Sequence, residues 1–156
     1  MYTYENFKTK KALKEAVLEF IPEADVLKLS DEELEFITGT GDIEKALPEL
    51  FEKGVKLVLY TCGKDGMFAF TRKSSAHAMS PKVEVVDTTG AGYASIGSFL
   101  RKLNDFDINI SNIEDISEDM LREALEFSTV FCTISVQHKG AIPSYPTLEQ
   151  VKQYKT

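Results

Sequence analysis

Two glycines at a predicted strand–helix junction form the part of the sequence best suited to bind a phosphate group. Residues 87–92 read Asp-Thr-Thr-Gly-Ala-Gly, and the two glycines are Gly90 and Gly92. Without side chains there, backbone N–H groups can turn toward one point, and a following helix adds its N-terminal donors and dipole. Such a turn binds a phosphate or the charge that develops during phosphoryl transfer. The spacing alone fits a plain tight turn equally well.

Two other glycine-rich phosphate-binding motifs are absent from the sequence. No Gly-x-x-x-x-Gly-Lys-Ser/Thr stretch occurs, which excludes a P-loop protein. A dinucleotide-binding fold needs a third glycine after Gly90 and Gly92, but Ala94 and Ser95 occupy that region. Residues 87–92 therefore match neither of these two glycine-rich motifs.

The overall charge of the chain disfavours nucleic acid as a partner. The 156 residues include 25 acidic and 18 basic side chains, and the net charge of -7 repels polyphosphate backbones. No run of about 18 apolar residues predicts a membrane span, and the N-terminus does not read as a signal peptide. Cys62 and Cys132 lie far apart, so we expect a cytoplasmic protein with two buried, reduced cysteines.

The phosphate-binding turn is predicted to lie within an alternating series of helices and strands. Apolar periodicity and capping residues predict helices over residues 10–21, 31–39, 43–54, 92–103, 118–135 and from about 147. Strand-like runs occupy residues 24–29, 55–60, 67–70, 74–79 and 83–86, and a turn at 63–66 makes the second and third a hairpin. The alternation argues for one α/β domain, residues 1–156, with a largely parallel sheet.

Four stretches of the sequence resemble segments of one enzyme family, and they follow one another in the order that the family has. Residues 87–92 are similar to the second signature of the ribokinase family of carbohydrate kinases, the pfkB type. Residues 28–39 resemble the fructokinase segment with an Asn-x-x-Glu motif, with Ser30 at the Asn position and Glu33 at the Glu position. Residues 60–66 resemble the Thr-x-Gly-x-x-Gly turn along the nucleotide, and residues 139–144 resemble the loop near the adenine and the monovalent cation.

The resemblance covers residues 24–154 and implies the C-terminal, nucleotide-binding half of such a kinase. The implied fold is a ribokinase-like, Rossmann-like three-layer α/β sandwich that is incomplete, because it lacks the N-terminal half and the lid. The relatives' sugar-binding residues should precede residue 24, where this sequence has only 23 residues. A half sheet would expose an apolar edge, so we expect a homo-oligomer or a complementing chain as partner.

The resemblance also implies roles for individual residues. The anion hole for the γ-phosphoryl group of ATP would be formed by Gly90, Ala91 and Gly92. ATP or ADP would be contacted by Thr61, Gly63, Gly66, Lys139 and Gly140. Glu33 would hold Mg²⁺ through water, and a candidate K⁺ site would comprise Asp87, Thr89, Gly140 and Ser144. Two alternatives stay open: Glu33 can be simply a capping-box residue, and Lys139 a solvated loop lysine.

Two departures from the family pattern bear on activity. Tyr93 occupies the position of the catalytic Asp, and a phenol is almost wholly protonated at neutral pH, so it is a poor base. Its bulk would also project into the space of the sugar hydroxyl. The helix that lines the adenine normally carries small residues, but here it includes Val130 and Phe131, either of which would fill the pocket if it faced it.

Two functions are consistent with these features. The first is an ATP-dependent, fructokinase-like sugar kinase, although Tyr93 and the missing half predict that this chain alone is inactive. The alternative is a non-catalytic, truncated kinase half that binds a nucleotide or serves in assembly. The sugar cannot be identified, because the residues that select it would lie in the missing part.

Overall fold

The computed structural model describes residues 9–154. Six α-helices lie within this range: α1 (Lys10–Phe20), α2 (Asp31–Thr38), α3 (Ile43–Glu52), α4 (Ala91–Asp105), α5 (Glu118–Ser135) and α6 (Leu148–Gln153). Four strands lie within it: β1 (Val26–Ser30), β2 (Leu57–Thr61), β3 (Met67–Phe70) and β4 (Ser75–Ala78). Within the same range, no helix is long and apolar enough to cross a membrane.

Side-chain caps determine where several helices begin. Ser30 accepts a hydrogen bond from the Glu33 N–H, and Glu33 accepts one from the Ser30 N–H, which forms the predicted capping box. Asp42 caps α3, and Ser117 caps α5 by accepting a hydrogen bond from Met120. The helix predicted over residues 118–135 is confirmed with the same bounds.

The sheet is mixed, so the prediction of a largely parallel sheet is wrong. The strands lie in the order β1-β2-β3-β4, and only β1 and β2 are parallel. The cause is the short turn at residues 62–66, since a connection of a few residues can join only antiparallel neighbours. Gly66 has φ +91°, and a Cβ there would lie 2.0 Å from the carbonyl oxygen of Ala78, so the turn requires glycine.

The strand predicted at residues 83–86 is also wrong. This segment has no regular structure, and Val85 and Val86 are 56% and 51% exposed. The N–H groups of Val86 and Asp87 donate to the carbonyl of Val136 at the end of α5 rather than to a strand. The segment therefore crosses from the sheet to α4 as an irregular connection.

Helices cover both faces of the sheet and produce three layers. On one face, Leu57 and Leu59 of β2 pack with apolar residues of α4 and α5, including Phe99 and Leu121. On the other face, the alternate β2 residues pack with α2 and α3. The axes of α4 and α5 lie close because small residues meet there, and the Ser98 and Ser128 hydroxyls are 2.9 Å apart. This packing fixes the position of the N-terminus of α4.

Candidate functional site

A cavity of about 580 Å³ opens where β1 and β2 end, beside the N-terminus of α4. Ser30 and Thr61 are the last residues of these strands, and both line it. Lys28 of β1 and Met67 of β3 also line it, and the other lining residues come from the turn after β2, the irregular segment after β4, the first turns of α4 and the end of α5. Four separate segments of the chain therefore converge on one space.

The turn after β2 forms one wall of this cavity through Thr61, Gly63 and Gly66. The hydroxyl of Thr61 donates to the carbonyl of Leu29 at 3.4 Å, which joins the ends of β2 and β1. The hydroxyl of Ser80 donates to the carbonyl of Gly63 at 3.2 Å and ties the turn to the segment that follows β4. Three of the five residues predicted to contact a nucleotide thus lie together.

The N-terminus of α4 forms the opposite wall. Gly90 is its N-cap, with left-handed backbone angles of φ 82° and ψ -2° and no side-chain cap. The Ala91 N–H donates to Thr88 and the Ala94 N–H to Gly90, whereas the Gly92 N–H lies in the first turn, where the helix offers no acceptor. Ala91 and Gly92 line the cavity. The predicted placement of residues 90–92 at a helix N-terminus is confirmed.

Three lysines that sequence reasoning did not select also line the cavity: Lys28, Lys64 and Lys82. The ammonium of Lys28 lies 3.1 Å from Glu33 Oε2, and a Cβ placed on Gly92 would lie 3.5 Å from the same ammonium nitrogen. Three lysines thus line the cavity of a chain whose net charge is -7, and one of them, Lys28, is paired with Glu33. A weak signal existed, because Lys28 and Ser30 are two apart in β1 and must face the same side of the sheet.

Glu33 serves as the capping-box residue and as the partner of Lys28. Its Oε2 accepts the Ser30 N–H at 2.7 Å and the Lys28 ammonium at 3.1 Å. Partial burial alone would raise the pKa of Glu33, but the hydrogen bond from Ser30 and the charge of Lys28 outweigh it and lower the pKa. The Glu33 side chain is 54% exposed, and Glu33 is not among the residues that line the cavity, whereas Lys28 is. Its role toward Mg²⁺ remains a prediction.

Asp87 holds the turn and the loop at Gly140 together. One carboxylate oxygen accepts the Thr89 N–H at 2.9 Å and the other accepts the Gly140 N–H at 2.8 Å. The hydrogen bonds from Gly140 and then Thr89 lower the pKa of Asp87 to about 2. Ser144 does not join this group, because its hydroxyl bonds to Ser135 and to the Ala141 carbonyl, each at 2.7 Å. Three of the four residues predicted for the monovalent cation therefore meet.

Lys139 and Gly140 do not line the cavity, although both were predicted to contact the nucleotide. Gly140 is used at Asp87, and the charge of Lys139 contributes to lowering the pKa of Asp87. The loop they form therefore contacts the turn at residues 87–92 from outside the cavity.

Tyr93 lies away from the cavity. Tyr93 is 59% exposed and lines a second cavity of about 270 Å³, together with Phe127, Phe131 and Tyr145. The two cavities share no lining residue. Tyr93 therefore follows residues 87–92 directly in sequence but faces another side of α4.

The bulky residues of α5 do not block the first cavity. Cys132, Thr133 and Val136 line it, whereas Phe131 lines the second cavity and Val130 lines neither. Both cysteines are free, and burial raises the pKa of Cys132 to about 12, so this thiol stays neutral. The pocket wall here is small and apolar.

Comparisons with known proteins identify the family. The family model for the "pfkB family carbohydrate kinase" matches residues 3–148. The chain belongs to this family. Fructokinase-2 of Zea mays is 39% identical over 140 residues, which cover 88% of this chain and 40% of the relative. The chain spans about 40% of the length of the curated relatives it matches.

Solved structures agree with this assignment. The fructokinase of Vibrio cholerae O395, with fructose, ADP and calcium bound, superposes with a TM-score of 0.79 at 27% identity, covering 95% of this chain and 46% of that one. The aminoimidazole riboside kinase of Salmonella enterica, complexed with aminoimidazole riboside and an ATP analogue, gives 0.76 at 25% identity, with 97% and 48% covered. The family and the incomplete ribokinase-like fold predicted from the four motifs are confirmed.

Proposed function

We propose that this chain is the nucleotide-binding part of an ATP-dependent, fructokinase-like carbohydrate kinase. One observation carries the proposal: a single cavity joins the turn at residues 61–66, the N-terminus of α4 and three lysines. Its volume of about 580 Å³ lies within the usual range for small-molecule sites. Relatives whose structures contain ADP or an ATP analogue share the fold, which supports a nucleotide as the occupant.

The phosphate groups would lie at the α4 end of the cavity. Lys28 supplies a positive charge there, and the Gly92 N–H supplies a donor at the positive end of the helix dipole. The base would lie toward the apolar side, against Cys132 and Val136. Lys64 and Lys82 remain available for the phosphates nearer the opening.

Metal ions would be held mainly by the nucleotide. Within residues 9–154, no group of three or more His, Cys, Asp or Glu side chains could bind a metal. Mg²⁺ is usually bound through one or two carboxylates, phosphate oxygens and water, so Glu33, which does not line the cavity, would act only as an outer ligand through water. A monovalent cation would lie at Asp87 and Thr89, without the Ser144 hydroxyl.

Transfer to a sugar by this chain should be slow or absent. The Asp that accepts the sugar proton in the family is replaced by Tyr93, whose ring lines the other cavity. Loss of a general base typically costs about 10²–10⁴-fold in rate. The position of Tyr93 favours the second candidate function, a non-catalytic nucleotide-binding module, while leaving the nucleotide site unaffected.

Titration calorimetry with Mg–ATP tests the proposed nucleotide site. The unmodified chain should bind, and Lys28→Gln should weaken binding about ten-fold through loss of a charge-assisted contact. Lys45→Gln is the matched control, because Lys45 pairs with Asp42 on α3 and does not line the cavity. Absence of ATP binding would refute the proposal. Sugar-dependent ADP release with fructose would decide for the kinase over the non-catalytic module.

A further inference from the structure

The loop at residues 140–145 packs tightly on the outer side of the phosphate-binding turn. The Tyr145 hydroxyl donates to the Gly90 carbonyl at 3.0 Å, and the Gly140 N–H donates to Asp87 at 2.8 Å. A Cβ on Gly90 would lie 2.6 Å from Ala141 Cβ and 2.9 Å from the Tyr145 hydroxyl. The loop and the turn are therefore in direct contact, with no room for a side chain between them.

Tyr145 is itself held in place from three directions. The neighbouring Ser144 hydroxyl is buried and lies 2.7 Å from the Ser135 hydroxyl at the end of α5. Pro146 restricts the backbone of the residue before it to extended angles, and Tyr145 has φ -70° and ψ 129°. The Phe131 ring packs against the tyrosine ring at 5.8 Å between centroids. Partial burial raises the pKa of Tyr145, so its hydroxyl stays a donor.

Tyr145 contacts the turn through the Gly90 carbonyl. This carbonyl accepts two donors, the Tyr145 hydroxyl at 3.0 Å and the Ala94 N–H at 2.9 Å. The same peptide unit is held at its other end, because the Ala91 N–H donates to Thr88 at 3.0 Å. Glycine in the left-handed region is otherwise free to adopt many conformations, so this peptide plane is fixed mainly by its hydrogen bonds.

We infer that Tyr145 is a positioning residue that holds the Gly90 peptide so that the next donor, the Gly92 N–H, faces the cavity. The inference rests on the proposed nucleotide binding. It means that Tyr145, a residue of the second cavity, supports the turn that borders the first cavity. Tyr145 is not among the residues that line the first cavity, so its effect on a bound phosphate should pass through the turn. It should therefore influence contacts to phosphate and leave contacts to the base unchanged.

Tyr145→Phe tests this role, because it removes the hydroxyl and keeps the ring packing. Calorimetry should show Mg–ATP binding weakened about five-fold, the value of one ordinary hydrogen bond, with adenosine binding unchanged. Amide hydrogen exchange, followed by NMR, should be faster at Ala91 and Ala94 than in the unmodified chain. Tyr154→Phe is the matched control, since Tyr154 follows α6 and lines neither cavity.

The outcomes separate this inference from the proposed function. If the unmodified chain binds no ATP, the proposed function fails, while the exchange measurement still decides on the positioning role. Unchanged exchange at Ala91 and Ala94 in Tyr145→Phe would overturn that role. So would an equal loss of ATP and adenosine binding, because it would indicate general damage to the fold rather than a displaced turn.

Discussion

Alanine substitutions at Gly90 and Gly92 should have opposite effects on stability, although the two positions are two residues apart. Gly90 has φ +82°, and a Cβ there would lie 2.6 Å from Ala141 Cβ. Gly92 lacks a positive φ, and its Cβ would meet only Lys28, with the ammonium nitrogen at 3.5 Å. The first position therefore requires glycine for the fold, whereas the second accepts a methyl group without strain.

The magnitudes follow from these contacts. In Gly90→Ala, the left-handed backbone costs about 1–2 kcal/mol and overpacking against Ala141 adds about 1–3 kcal/mol, so unfolding should become easier by roughly 2–5 kcal/mol. In Gly92→Ala, the higher helix propensity of alanine should raise the free energy of unfolding by up to about 1 kcal/mol. The new methyl group would, however, stand between the Lys28 ammonium and the first-turn N–H groups. ATP binding should therefore weaken at least about ten-fold.

Urea denaturation and calorimetry with Mg–ATP measure the two effects separately. Gly97→Ala is the control, because it lies in the same helix and a Cβ there meets nothing within 4 Å. The expected pattern is a stable Gly92→Ala that binds ATP poorly and a stable Gly97→Ala that binds normally. Normal ATP binding by Gly92→Ala would refute the assignment of the phosphate site to the N-terminus of α4. An unchanged stability of Gly90→Ala would refute the argument from its backbone angles.

Three further results are expected. Tyr93→Asp should not restore fructose-dependent ADP release by the 156-residue chain, and turnover in a coupled assay would contradict this. Substrate positioning supplies roughly 7–11 kcal/mol, and the resemblance assigns the sugar-binding residues that provide it to the part that precedes residue 24. Asp87 has a lowered folded-state pKa, so its contribution to stability is present above the unfolded value and is lost as pH falls toward about 2. The free energy of unfolding, measured by urea denaturation, should therefore fall less between about pH 4 and about pH 2 for Asp87→Asn than for the unmodified chain. An equal fall in both would contradict the argument. The chain should also be dimeric or larger by light scattering, because β1 is an edge strand within the described residues, and a clean monomer at micromolar concentration would count against it.

The helix bounds were predictable because local signals determine them. The capping box at Ser30 and Glu33 and the cap at Ser117 are formed as their sequence patterns predict. The absence of a strand at residues 83–86 was not predictable in this way. The valines of this segment have high β propensity, but a strand also needs a neighbour, and the N–H of Val86 finds its acceptor at the end of α5 instead. Pairing partners are tertiary information that propensity does not contain.

The residues of the candidate site also differ in whether the sequence alone could reveal them. The glycines at positions 63, 66, 90 and 92 were found because their motifs are short and continuous in sequence. Lys28 was missed, since its position in β1 indicates only which side of the sheet it faces and not that its ammonium lies near Gly92, 64 residues later. The supporting bond from Tyr145 joins residues 55 apart and has no motif. Such contacts depend on the packing of α4 against α5.

The phase of α4 explains how nucleotide binding and proton transfer can be lost separately. A helix turns by about 100° per residue, so residues 92 and 95 share one side of α4, and residues 93 and 97 share another. Gly92 and Ser95 line the cavity proposed for the phosphates, while Tyr93 and Gly97 line the second cavity. The resemblance puts Tyr93 at the position of the family's base, whose loss would add roughly 3–5 kcal/mol to the barrier, and Tyr93 lines only the second cavity. Under the proposed function, Tyr93 affects the acceptor side of the reaction, and the strength of ATP binding depends on residues 90–92 and Lys28.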